Sequence, residues 1–282
     1  MNTKAILLIT CPDRIGLEAT VSQFVHMHNG NIIRSEHHID SELNVFCMRI
    51  EWDFDKFDLT KEEFKEHFSP LAKKYSMNWK VRFSDISLKM GILVSKYSHC
   101  LWDLLLRYEA GDINVDIPVI ISNHPDLEHV AEIFSIPFYH LDVTKSDKKE
   151  KEIIALLHKY DVDFVVLARY MQILSSLFIN EFADNIINIH HSFLPAFAGG
   201  RPYQKAYARG VKLIGATGHY ATKDLDEGPI IEQDVIRVTH LDDIDSLKRK
   251  GKDLERQVLA KAVEYHADHR ILVYENKTAV FR

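Results

Sequence analysis

The chain has 282 residues, 46% hydrophobic and 27% charged, with a formal net charge of −6, and this length sets two domains as the prior. The acidic balance argues against a nucleic-acid partner, because phosphate binding rests on clustered Lys and Arg. No apolar run approaches the roughly 18 residues of a membrane span, so no membrane association is expected.

Met1-Asn2-Thr3-Lys4 leads straight into the strand-like Ala5 to Ile9 with no signal-peptide pattern, which predicts a cytoplasmic protein. The turn at Cys11-Pro12-Asp13 opens a helix with Asp13 as N-cap and Leu17, Val21, Phe24 and Val25 on one face, ended by Gly30. Cys11, Cys47 and Cys100 are odd in number and have no C-x-x-C spacing, so they read as reduced, buried thiols. A hairpin follows, Asn31 to Ile39 and Val45 to Trp52, turning at Asp40-Ser41-Glu42, with Phe46, Met48, Ile50 and Trp52 on one apolar face.

Thr60-Lys61-Glu62-Glu63 is a capping-box pattern opening a second helix, in which Pro70 predicts a kink or interruption. Met77, Trp79, Val81 and Phe83 alternate as a last strand. The order is βαββαβ, a ferredoxin-like arrangement over residues 1–84. With Cys11-Pro12-Asp13-Arg14-Ile15-Gly16-Leu17 at its first loop, this third of the chain resembles an ACT domain. That resemblance implies a regulatory and assembly unit, with an amino-acid effector as partner and a homo-oligomer as the assembled state.

Past Ser84-Asp85 the pattern becomes short continuous apolar runs between helical stretches: Met90 to Val94, Ile117 to Ile121, Phe164 to Leu167 and Ile186 to Ile189. Such runs suit strands buried on both faces, so residues 85–282 are expected to form a mostly parallel sheet covered by helices, α/β in class, with ligands beyond the carboxyl ends of the strands. Val211 to Tyr220 and Pro229 to Val238 read as further strands joined by a loop carrying Asp224, Asp226 and Glu227, its exit fixed by Gly228-Pro229. The charged stretch Lys145 to Glu152 and the basic cluster Lys248 to Lys252 read as solvated helix starts.

Asn188 and His190 lie two apart at a strand end and leave it toward the same side. There an amide and an imidazole suit a developing oxyanion, and a nearby carboxylate, Asp226 ahead of Asp224 and Glu227, suits orienting the imidazole and taking a proton from water. Spacing alone leaves a second reading open, in which the same groups only satisfy local backbone. His37-His38 has no carboxylate or cysteine at ligand spacing, so no metal site is expected.

The stretches Phe164 to Met171, Asn188 to Phe197, Gly199-Gly200-Arg201-Pro202-Tyr203, Gly215 to Tyr220 and Asp226 to Pro229 resemble the formyltransferase fold that uses 10-formyltetrahydrofolate. Taken with the ACT-like start, essentially the whole chain resembles the formyltetrahydrofolate deformylases. The resemblance implies a hydrolase that releases formate and tetrahydrofolate, supplying formate and balancing the one-carbon pool for purine biosynthesis, with folate as substrate and no cofactor. It carries the catalytic roles to Asn188, His190 and Asp226. It also sets the pterin against Met171, Gln172, Ile173, Leu174, Asp224, Leu225 and Glu227, although Met171, Ile173 and Leu174 taken singly read as core. His191 and His219 either touch substrate or brace His190.

The alternative is a formyltransferase acting on an amine. Against a phosphorylated amine stands the first strand-to-helix turn, Ser95-Lys96-Tyr97-Ser98-His99, which lacks the small residues that let backbone amides cradle a phosphate.

Overall fold

The computed structural model describes residues 3–144, 147–196 and 202–282. Lys145, Ser146, Phe197, Gly199, Gly200 and Arg201, which figure in the sequence motifs, lie outside the described residues. The chain divides into two units, Met1–Ser87 with His269–Arg282, and Leu88–Asp268.

In the first unit β1 (Lys4–Pro12), α1 (Leu17–Met27), β2 (Asn31–Asp40), β3 (Val45–Asp53), α2 (Lys61–Lys74) and β4 (Asn78–Phe83) follow one another in the predicted order. The sheet runs β2-β3-β1-β4, all antiparallel. Its core joins Trp52, Phe64 and Phe68 to Leu7, Ile9 and Met48, all fully buried. Truncating one of these aromatics to Ala is expected to cost about 3–5 kcal/mol.

Two local expectations change. Gly16, not Asp13, caps α1, because β1 continues to Pro12 and the Asp13 amide donates to the Asn44 carbonyl at 3.0 Å. Helix α2 runs unbroken through Pro70. That proline lies on the exposed side, where water can satisfy the carbonyl whose partner the ring removes. The capping box forms as predicted, with Glu63 N–H to Thr60 Oγ1 at 3.2 Å and Thr60 N–H to Glu63 Oε2 at 2.9 Å.

Strand β3 is buried on both faces, not one. Its second face meets the end of the chain: Cys47 packs with Ala279 and Phe281 and Arg49 Nε donates to the His269 carbonyl at 3.0 Å, while at the end of β2 Asp40 pairs with Lys277 at 2.8 Å. Residues 269–282 therefore group with the first unit, whereas the sequence pattern assigns them to the second.

The second unit contains β5 (Leu88–Val94), α3 (His99–Ala110), β6 (Val115–Ser122), α4 (Glu128–Ile133), β7 (Phe138–His140), α5 (Glu150–Lys159) and β8 (Phe164–Ala168). It continues with α6 (Ser176–Glu181), β9 (Ile186–His190), α7 (Pro202–Arg209), β10 (Leu213–Tyr220), β11 (Ile230–Arg237) and α8 (Ile244–Ala267). The remaining strands, β12 (Ile271–Tyr274) and β13 (Lys277–Val280), form the terminal hairpin of the first unit. The seven-stranded sheet runs β11-β10-β9-β8-β5-β6-β7, parallel from β9 to β7 and antiparallel at β10 and β11. Because β5 borders β6 on one side and β8 on the other, chain direction across the sheet reverses there, which opens a crevice at the carboxyl ends.

Candidate active site

Two side chains and a backbone amide join three strand ends at the crevice. Ser95, just past β5, donates to Asn123 Oδ1 at 2.6 Å and accepts from the Met171 amide at 3.0 Å, tying the exits of β5, β6 and β8 together. Beside it lies a cleft of about 270 Å³ whose walls include Asn188, His190 and Asp226.

Register sets two of these groups. In the antiparallel pair β9 and β10, His219 stands opposite Asn188 and Thr217 opposite His190. Asn188 Nδ2 donates to His219 Nε2 at 3.1 Å, and His219 Nδ1 donates to the Tyr220 carbonyl at 3.0 Å. Those two bonds require a neutral imidazole with its proton on Nδ1. Burial holds the His219 pKa below its usual value, in agreement. Thr217 Oγ1 donates to the Ser192 carbonyl at 2.8 Å and accepts from the Leu194 amide at 3.0 Å, fixing the segment that leaves His190.

His190 Nδ1 lies 3.1 Å from Asp226 Oδ1, and both side chains are largely buried. The hydrogen bond from His190, reinforced by the neighbouring imidazoles, holds the Asp226 carboxyl below the usual carboxylate range against the opposing effect of burial. His190 Nε2 is buried and has no hydrogen-bond partner among the described residues. An unsatisfied buried polar atom costs about 1–3 kcal/mol, so this one is a ready donor or acceptor for a bound group.

The loop bearing Asp226 is closed at its neck by the Tyr220 amide, which donates to the Pro229 carbonyl at 2.9 Å. Gly228 is required there, since a Cβ would lie 1.8 Å from the Tyr220 carbonyl oxygen. Asp226 adopts φ 60°, in the left-handed region, a conformation that Asp tolerates better than most residues and that often marks functional positions.

Met171, Gln172, Ile173, Leu174, His219 and Leu225 line the cleft with the three polar groups, while Asp224 and Glu227 are not in its lining. The Asp224 carbonyl instead accepts from Thr222 Oγ1 at 3.1 Å within the turn. Met171 and Ile173 are not core residues: they are 52% and 61% exposed, and Leu225 is 60% exposed. Apolar side chains at the mouth of a cleft suit a flat ring better than they suit water.

A buried charge cluster adjoins the trio. Glu255 of α8, 1% exposed, accepts from Tyr203 Oη at 2.7 Å, lies 2.7 Å from His99 Nε2 and pairs with Arg169 at 3.4 Å. Burial would raise the Glu255 pKa, but His99 and Arg169 hold it below the usual range. Arg169 donates in turn to His191 Nδ1 at 2.7 Å, and the His191 ring stacks on His190 with centroids 5.0 Å apart. Burial, with the Arg169 charge, pushes the His191 pKa down to about 4. Cys100 Sγ lies within 4.8 Å of the ligand atoms of His99 and Glu255. Burial raises that thiol well above its usual value, and Arg169 already supplies the countercharge, so the donor set suits an ion-pair network rather than a metal.

Sequence reading missed the anchor of this cluster, although a signal was present. Glu255 sits on the stripe of Gly251, Leu254, Val258 and Ala262, where an unpaired carboxylate has no place.

Four likenesses to known proteins bear on this geometry. Residues 88–263 match the family model described as formyl transferase. A formyltetrahydrofolate deformylase of Synechocystis sp. is 51% identical over 282 residues, covering 99% of each chain. The crystal structure of a formyltetrahydrofolate deformylase from Pseudomonas syringae superposes with a TM-score of 0.97 at 45% identity, covering 100% of this chain and 95% of that one. A glycinamide ribonucleotide transformylase 1 from Symbiobacterium toebii matches with a TM-score of 0.67 at 29% identity, covering 71% of this chain and 97% of that one.

Proposed function

The chain belongs to the formyltetrahydrofolate deformylase family, and on that footing we propose that it hydrolyses 10-formyltetrahydrofolate to formate and tetrahydrofolate through Asn188, His190 and Asp226. The observation that carries the residue assignment is the pairing of His190 Nδ1 with Asp226 beside an unpartnered Nε2 in the wall of the cleft.

Asp226, ionised and hydrogen-bonded to His190, takes a proton from water as the water oxygen attacks the formyl carbon. The amide of Asn188, aligned by its bond to His219, and the protonated His190 donate to the tetrahedral oxyanion, each donor being worth on the order of 3 kcal/mol. Collapse breaks the bond from carbon to N10, and His190 or a relayed water returns the proton to that nitrogen. The exposed apolar residues Met171, Ile173 and Leu225 hold the pterin, and the reaction needs no cofactor.

The first unit, in this reading, is an ACT-like module that senses an amino acid and joins subunits into a homo-oligomer. Support comes from the βαββαβ order, from the open N-cap at Gly16 with φ 87° and from Ile33 and Ile39 on edge strand β2, 49% and 42% exposed. A cytoplasmic setting fits the free, buried cysteines, and among the described residues no helix is long and apolar enough to cross a membrane. Release of formate then serves the one-carbon pool for purine synthesis. Assaying formate from 10-formyltetrahydrofolate with no added acceptor, for the intact protein and for Asp226→Asn, tests both the reaction and the residue assignment.

A further inference from the structure

We propose that the cluster of Arg169, Glu255 and His191, with Tyr97 on the guanidinium, is the specificity-determining element that reserves the nucleophile's side of the cleft for water. This rests on the hydrolase reading and adds the reason why an amine does not take the formyl group.

Arg169 and His191 line the same cleft as Asn188, His190 and Asp226. The His191 ring lies nearly parallel to that of His190, at an interplanar angle of 20°, so this wall adjoins the imidazole at which the nucleophile must react. The wall is rigid for reasons visible in its contacts. Arg169 leaves β8 at φ 65°, a conformation unusual for a long side chain. Its guanidinium donates to His191 at 2.7 Å and lies over the Tyr97 ring at 5.2 Å from the centroid, while Nε faces Glu255 at 3.4 Å as an ion pair without a hydrogen bond.

Moving Arg169 aside would leave the Glu255 carboxylate buried without its guanidinium partner, which is strongly unfavourable. Glu255 itself is fixed by His99 and Tyr203, and Gly251 exists to admit the latter: a Cβ there would lie 2.0 Å from the Tyr203 oxygen. The turn after β5 thus contributes Tyr97 and His99 to a cage around an arginine, where a phosphate cradle would need bare backbone.

Bulk rather than net charge carries the exclusion, because Glu255 offsets the guanidinium charge and Asp226 in the same cleft is itself anionic. An amine brings a substituent that meets the guanidinium and its neighbours, whereas water brings none. Arg169 also occupies the lone pair of His191 Nδ1, which leaves no second imidazole base to deprotonate an incoming ammonium. In hydrolysis the water oxygen bonds to the formyl carbon as the bond to N10 breaks; one proton goes to N10 and another to solvent, leaving formate. In transfer the ammonium first loses one proton to solvent, the amine nitrogen bonds to the formyl carbon as the bond to N10 breaks, and a second proton goes from that nitrogen to N10.

The experiment uses glycinamide as probe amine, with 10-formyltetrahydrofolate as donor, and reads the ratio of N-formylglycinamide to formate. The main variant combines Arg169→Gly, suited to the positive φ, with Glu255→Gln, which removes the carboxylate left without its partner. Tyr97→Ala, at a half-exposed position, loosens the guanidinium without touching the buried charges. The intact protein should give formate alone. The double variant should raise the transfer ratio by roughly tenfold or more, and Tyr97→Ala by a smaller factor in the same direction. A merely structural role would lower both products together and leave the ratio unmoved, and that result overturns the proposal. Loss of formate with no N-formyl product, in protein shown folded by circular dichroism, overturns it equally by placing the cluster in the chemistry itself. Absence of formate from the intact protein would instead refute the hydrolase reading.

Discussion

Asn188 and His219 stand opposite each other on adjacent antiparallel strands, and the amide of the first donates to Nε2 of the second at 3.1 Å. One imidazole, locked in a single tautomer by the Tyr220 carbonyl, thereby decides which way the amide proposed for catalysis faces. His219→Ala should therefore lower kcat by about tenfold while leaving KM nearly unchanged. In a double-mutant cycle with Asn188→Ala the two losses should not add. Additive losses would make His219 independent of Asn188.

The trio itself gives a larger effect. Asn188→Ala, His190→Ala and Asp226→Asn should each reduce turnover by roughly a hundredfold or more with the fold intact by circular dichroism. Near-normal turnover of folded Asp226→Asn would remove that residue from the mechanism.

Acid should destabilise the protein in a defined window. Burial, helped by neighbouring charges, pushes His191 and His269 to about 4 from an ordinary value of 6.5. As pH falls, the unfolded chain takes up these protons first, so stability is full above about 6.5 and declines until about 4. His269→Asn, compatible with the φ of 53° at that position, should flatten this decline. Urea midpoints at pH 7 and pH 5 that differ as much in the variant as in the parent would contradict it.

Truncation must respect the terminal hairpin. Residues 85–282 retain β12 and β13 but lack the sheet against which Ala279 and Phe281 pack, so this fragment should aggregate more readily than 88–268. Light scattering of the two fragments at equal concentration compares them directly. Deleting the first unit should abolish any response to amino acids and change the mass in solution; a deletion that changes neither would contradict the proposed regulatory role.

Much of this was legible in the sequence because local patterns report local physics. Alternation and capping residues identified β1 to β4 and the Thr60 box, and continuous apolar runs identified the parallel strands, among them the one that carries Asn188 and ends at His190. What was hidden depends on pairing between distant segments. The burial of Cys47 and Arg49 needs the terminal segment. The role of Arg169 needs Glu255, far along the chain on α8. Met171 and Ile173 read as core because apolar residues usually are, yet both stand exposed in the lining of the cleft.

The central claim is that water receives the formyl group at this site. The purified protein, incubated with 10-formyltetrahydrofolate and no added acceptor, should release formate and tetrahydrofolate in equal amounts, and added glycinamide ribonucleotide should neither be required nor divert the formyl group. Negligible formate alone, together with rapid formylation of that amine, would contradict the account and establish a transferase.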